Sequence, residues 1–269
     1  MERHAMSQER EHDDVDLFGR RPKGRADWSH RRGEPRGLAL AWSVYLMLVT
    51  LGSLGSALSL GRFEPDVYRP AARILMALVM VGVVLLWPML RLTQASAFRS
   101  PGSSVVRDLV VVLLPAMTLV WPQVILADWP VEVVGALSAL LVAWSLIAGS
   151  VLVVWCGART ESTVSRVTAM LVLVGLVLVW PLLLWRMGVL HLEPATLGVT
   201  PGWMWTPVSA VCEVLRDRGW SGRPARIAPE HWVWIVRLLI VSVGVFGVSV
   251  WSGRRGGPRL HDSPVASEH

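Results

Sequence analysis

Lysine occurs once in this chain of 269 residues, at Lys23, and tyrosine and cysteine occur twice each. Cys156 and Cys212 are too few for a disulfide framework or a cysteine-built metal set. The scarcest commodity is charge inside the long apolar runs. Six of them, Leu38–Leu60, Ile74–Leu90, Leu109–Ala127, Val133–Cys156, Val167–Trp185 and Trp232–Trp251, contain no Asp, Glu, Lys or His, and Arg237 is their one charged residue. Intramembrane carboxylates and histidines are what an ion-coupled transporter or proton relay needs, so their absence argues against both. Haem held within the runs would need axial ligands, and they supply no histidine. Intramembrane proteolysis would need a Gly-x-Ser nucleophile with a general base, paired aspartates or a His-Glu-x-x-His helix; the one Gly-x-Ser in the runs, Gly247-Val248-Ser249, has no Asp, Glu or His in any run to serve it. There is no glycine-rich phosphate loop either, so any ATP dependence would belong to a separate subunit.

What is present is apolar bulk. Hydrophobic residues make up 53% of the chain, charged residues 17%, and mean hydropathy is +0.48. The charges collect in the tails and between the runs, which a soluble domain would not tolerate. Each run approaches the roughly 20 residues needed to cross about 30 Å of hydrocarbon. All six are expected to be helices, because lipid offers no partner to an unpaired backbone group. The expected fold is therefore an all-α polytopic membrane protein with six transmembrane helices. The run Ile74–Leu90 is short for a span, and Arg73 and Arg91 flank it as snorkelling ends. The first run begins only after 37 polar residues, so it reads as a signal anchor rather than a cleaved leader.

Orientation follows from the basic residues. The formal net charge is +6, with 26 Lys+Arg against 20 Asp+Glu. With the N-terminus inside, the inside segments carry nine, three, two and three basic residues, and the outside segments three, none and five. The five lie in one long loop, which weakens their weight, so the expected topology is N-in and C-in. The basic balance then reflects topology and predicts no nucleic-acid binding. The bias to arginine is what a GC-rich bacterial genome produces, which points to a multi-pass protein of the cytoplasmic (inner) membrane. Residues 1–37 and 252–269 are expected to be disordered cytoplasmic tails. Within the first, Arg20, Arg21, Lys23 and Arg25 form a basic cluster suited to anionic lipid, or simply to fixing topology.

The segment 186–231 is the one long polar interruption in the second half, and is expected to be extracytoplasmic. Within it, Pro207–Arg218 places Val208, Val211, Cys212 and Leu215 at helical spacing, with charges on the other side. Trp203, Trp205 and Trp220 flank that stretch as interfacial aromatics do. A short interfacial helix is expected there, with Gly219 as its stop. His191, Glu193, Cys212 and Glu213 match no metal-ligand or nucleophile spacing. Arg237 is expected to snorkel outward or to pair with Asp128 or Glu132 in the short loop before the fourth run. No cofactor is expected. Arg237, Asp128, Glu132, His191, His231, Trp203 and Trp205 are the residues expected to carry interactions or structure.

Two internal patterns stand out. Val81–Leu90 (VGVVLLWPML) matches Val174–Leu183 (VGLVLVWPLL), pairing Gly82, Trp87 and Pro88 with Gly175, Trp180 and Pro181. The matched runs would point in opposite directions, as in inverted-repeat transporters. Trp-Pro near a helix end is equally an interfacial anchor with a stop, and Trp121-Pro122 supplies a third copy. Small residues also gather in the first, fourth and sixth runs, with Gly52/Ser56 and Ser53/Ala57 at small-xxx-small spacing. They serve close helix packing, within the bundle or with another subunit.

Two resemblances follow. Six spans, both ends inside and a helical excursion between the last two resemble, in topology, the membrane subunits of type-2 ABC exporters. That implies contact of Leu92–Val106 with a separate ATPase. The external segment, with His191 and His231 bracketing tryptophans, is similar to cytochrome c maturation haem handlers, although Gly202-Trp203-Met204-Trp205 runs into Thr206-Pro207 rather than Trp-Gly-Trp-Asp. The leading expectation is a non-catalytic subunit or accessory of a larger membrane complex. A permease subunit comes second, and an external-face enzyme or haem handler third.

Overall fold

A computed structural model describes residues 36–59, 64–93, 101–158, 163–188, 199–216 and 225–255. His191, Glu193, Gly219, Trp220, most of both tails and residues 94–100 of the 92–106 loop lie outside these residues. Among the described residues the fold is all helix, and six helices are long and apolar enough to cross a membrane. Span one is Arg36–Ser59, span two Pro65–Thr93, and span three Pro101–Val120 extended by Gln123–Leu126. Span four is Val131–Ala158, span five residues 163–186, and span six Pro229–Arg255.

Span two is much longer than its apolar run. It starts at Pro65, a residue suited to a first turn because its missing N–H would have no helical partner. Arg69 and Arg73 therefore lie on the helix rather than in a loop before it, and the short-span expectation gives way to a 29-residue helix. Burial explains the extension: Tyr68, Arg69, Ala71 and Ala72 are packed against the rest of the bundle. Arg69 donates Nε–H to the Ala127 carbonyl at 2.9 Å and pairs with Asp66 and Asp128 at 2.6 and 3.4 Å. Asp128 adopts φ 52°, a left-handed conformation that Asp tolerates better than most residues, and this turns the chain from span three into span four.

At the opposite end of span two, Arg91 pairs through Nε and Nη2 with both carboxylate oxygens of Asp108 on span three. Asp108 is wholly buried and Arg91 nearly so. Arg69 and Arg91 are separated by roughly 33 Å of helix rise, close to one hydrocarbon thickness. Span two is thus tied by arginine at both ends.

Spans two and five each contain a π-helical segment, Gly82–Leu86 and Gly175–Val179, immediately before Trp87-Pro88 and Trp180-Pro181. The wider turn relieves the clash that a proline ring makes with the carbonyl four residues earlier. Proline alone does not produce it. Pro115 sits inside span three with no π segment, and at Trp121-Pro122 the helix breaks into a turn instead. The shared sequence, not the proline, goes with the shared conformation.

Span four is the centre of the packing, touching spans two, three, five and six. At Gly149 an added Cβ would meet Val105, Phe246 and Trp87 at 3.1–3.6 Å, so spans two, three and six converge there. Trp87 is fully buried, which removes it from the interfacial-anchor reading, whereas Trp180 is exposed as an anchor would be. Spans one, three, five and six bury little and present Val, Leu and Ile outward, as lipid-facing helices do.

Candidate functional site

The polar residues that the fold gathers most closely lie in the segment before span six. Pro201–Trp205 forms a 3-10 turn, and Pro207–Val214 forms a short helix, here called the cap helix. Its start is dictated locally. Thr206 is extended, its Oγ1 accepts from the Ser209 amide at 3.2 Å, and Pro207 takes the first helical position. The Ser209 hydroxyl donates to the Trp203 carbonyl at 2.6 Å, which ties the helix to the 3-10 turn.

The cap helix buries more than the face its spacing suggests: Val211 and Leu215 are buried as expected and Val208 half-buried. Ala210, Val211, Val214 and Leu215 are inside, and so is Glu213, at 0% exposure. Cys212, expected on the apolar stripe, is on the exposed side. Burial on nearly every side is what contact with spans two and four and with the π segment of span five produces. Val179, the end of that π segment, lies roughly 10 Å of helix rise below Arg186, so the cap helix reaches into the bundle.

Glu213 is the hub. Its Oε1 accepts from the Thr200 amide at 3.2 Å and faces His231 Nε2 at 3.6 Å, while Oε2 lies 3.6 Å from Arg216 Nη1. His231 is also fully buried, in the first turn of span six. Its Nδ1 accepts from the Ala228 amide at 3.2 Å, and its own amide donates to the Ala228 carbonyl at 3.0 Å. With Nδ1 occupied as an acceptor, the neutral ring carries its proton on Nε2, facing the carboxylate. Arg73 of span two is close enough to act on the Cys212 thiol. The thiol lies at the protein surface, yet the mass of protein around it pushes its pKa above the ordinary value, and Arg73 pulls the other way.

The remaining expected residues are dispersed. Asp128 is engaged by Arg69 rather than Arg237. Glu132 is exposed in the first turn of span four, where a carboxylate suits the helix dipole. Arg237 is exposed with its guanidinium 5.8 Å from the Trp234 ring centroid, a cation–π contact within span six. Trp203 is half-buried and Trp205 exposed. Only His231 joins the Glu213 cluster; His191 falls outside the described residues. Sequence reasoning passed over Arg91–Asp108 because both residues lie just beyond the apolar runs. It set Glu213 aside because its spacing to His191, Glu193 and Cys212 matches no ligand pattern and amphipathic spacing put it on the wet face.

Chemically, the cluster is a buried carboxylate oriented by an amide, an imidazole and a guanidinium. Ser209, the nearest hydroxyl on the same helix, is committed to Trp203 and Thr206. Among the described residues no three His, Cys, Asp or Glu side chains are grouped to hold a metal ion. A separate open groove of about 370 Å³ lies between spans one and three, lined by Leu46, Thr50, Pro115 and Thr118 among others, and is almost wholly apolar. Compared with known proteins, the chain matches no family model, no curated protein and no solved structure.

Proposed function

We propose that the chain is a non-catalytic, six-span subunit of a larger membrane complex, oriented N-in and C-in in the cytoplasmic membrane, with the cap helix on the outer side. The observation that carries this reading is where the glycines fall. Gly82, Gly102 and Gly149 admit neighbours inside the bundle, but Gly52, Gly55, Gly244 and Gly247 meet nothing within 4 Å. Spans one and six thus offer small-residue faces that intramolecular packing leaves unused, the kind of surface that lets another membrane helix approach closely. The buried charges support the same reading. Buried Arg91 and Asp108 pair with each other, buried Arg69 pairs with the exposed Asp66 and Asp128, and buried Glu213 faces His231 and Arg216, as structural charges do.

Affinity purification in a gentle detergent tests the proposal. The expected result is a stoichiometric membrane partner without ATPase activity; isolation of the chain alone, free of partners, would overturn it. The orientation has its own test: a reporter fused at Gly222 is expected to be active outside, and cytoplasmic activity there reverses the topology.

A permease subunit is the second reading, favoured by one observation. π segments are rare and gather at functional sites, and here two sit at the same register in helices of opposite direction. Broken, oppositely directed helices from two halves are the architecture of inverted-repeat transporters. A co-purifying ATPase would select this reading over the first.

A further inference from the structure

We propose that the face of span five around Gly175 is the docking site for a transmembrane helix of a different chain, one that presents two aromatic side chains a turn apart. This rests on the subunit reading above, and names a face and a partner chemistry that the reading leaves open. The first copy of the Gly-to-Trp-Pro motif shows what such a face receives. In span two, Gly82 is a notch in which span one seats. Trp42 and Tyr45 stack with ring centroids 5.4 Å apart, and both rings lie so close to Gly82 that an added Cβ would collide with Tyr45. Tyr45 also donates its hydroxyl to the Leu78 carbonyl at 2.7 Å. The ring pair therefore engages both the missing side chain and a backbone acceptor four residues before it. Rings suit this role because they bury a large area while freezing few rotamers.

Span five repeats the notch and leaves it empty. Gly175 opens the same π segment at the same register, but a Cβ there meets nothing within 4 Å. Leu171, Gly175, Leu178 and Leu182 recur every three or four residues, and the three leucines are exposed. Their counterparts Leu85 and Met89 on span two are half-buried. Trp180 likewise stands 42% exposed where Trp87 is fully buried. The chain has no cover of its own to offer. Span four precedes span five as span one precedes span two, and 93 residues beyond Trp42 and Tyr45 it carries Gly135 and Ser138, which have no rings. Trp42 and Tyr45 are already committed to Gly82, and among the described residues no other two aromatics lie three or four apart. The rings must come from another chain. The acceptor that corresponds to Leu78 is the Leu171 carbonyl, which makes tyrosine the fitting second ring.

Photocrosslinking of the full chain in its native membranes tests this, with benzoylphenylalanine replacing one exposed residue at a time. Leu178 and Leu182 report the span-five face, Val248 the small-residue face of span six, and Val110 of span three the lipid. Discrete adducts with another polypeptide are expected from Leu178 and Leu182, and none from Val110. Gly175→Ala then tests the ring-on-glycine mode. The purified variant should melt no lower than the parent, because nothing in this chain meets the added methyl. Its adduct yield from Leu178 should nevertheless fall about tenfold, because the partner's ring occupies that space. A yield unmoved by Gly175→Ala would overturn the proposed mode of docking. Adducts made only of this chain's own peptides would overturn the different chain in favour of a second copy. Adducts from Val248 with none from Leu178 or Leu182 would overturn the docking face and leave the subunit reading standing. Lipid adducts alone at all four positions would overturn both.

Discussion

Arg91 and Asp108 have the most to lose from a single substitution. Both are withdrawn from solvent, so removing one charge strands the other in a medium that solvates it poorly. Asp108→Asn is expected to lower the stability of the detergent-solubilised protein by about 3–5 kcal/mol, whereas Arg91→Leu with Asp108→Leu recovers most of that loss. Thermal unfolding of the three variants checks this, and a double variant no better than Asp108→Asn would refute it. The glycines make a sharper pair. A Cβ at Gly82 would collide with Tyr45 and come within 2.9 Å of Trp42, two rings stacked with centroids 5.4 Å apart. Tyr45 is further fixed by donating its hydroxyl to the Leu78 carbonyl, just ahead of the π segment. Gly175, its sequence counterpart, meets nothing within 4 Å. Gly82→Ala is expected to cost about 1–3 kcal/mol, and Gly175→Ala to be neutral or to gain up to about 1 kcal/mol from helix propensity. Equal effects in the same unfolding assay would deny that only one copy of the motif is packed.

Among the elements, the cap helix depends on its start. Thr206→Ala removes the side-chain acceptor for the Ser209 amide and is expected to cost about 1 kcal/mol, localised to the cap. Hydrogen exchange should register this as faster exchange within Pro207–Val214, with the six spans unchanged; uniform acceleration would contradict it. His231 has moved from a boundary residue to a buried member of this element's hold on span six. Substituting His191 and His231 by alanine is therefore expected to loosen the cap through His231, an effect that His191→Ala alone should not reproduce. The cap thiol carries a pH dependence. Because surrounding protein raises the Cys212 pKa, the reactive thiolate is scarce at neutral pH and grows only as pH rises past the ordinary thiol value. Maleimide labelling of Cys212 should rise steeply with pH, and Arg73→Leu, which removes the opposing pull, should shift that rise higher still.

For the whole molecule, the apolar runs, their length and their freedom from charge were enough to determine six helices long and apolar enough to cross a membrane. A run of that kind has one stable backbone solution in lipid, and it is written locally in the residues. The cap helix's start at Pro207 and the shared Gly-to-Trp-Pro motif were likewise readable, because capping and proline act within a few residues, whereas the starts at Pro65 and Pro229 lie ahead of the apolar runs and were not. Tertiary structure decided what no periodicity contains. Arg69 was drawn into span two by the Ala127 carbonyl and Asp128, which come from a loop 58 and 59 residues away. Glu213 was turned inward because its partners, Thr200 and His231, come from segments that only folding brings together. Trp87 and Trp180 share a motif but not a fate: one is fully buried beside Gly149 of span four, and the other faces outward. Local sequence determines a helix and its ends; which of its faces is buried depends on neighbours, and burial is a property of the assembled bundle.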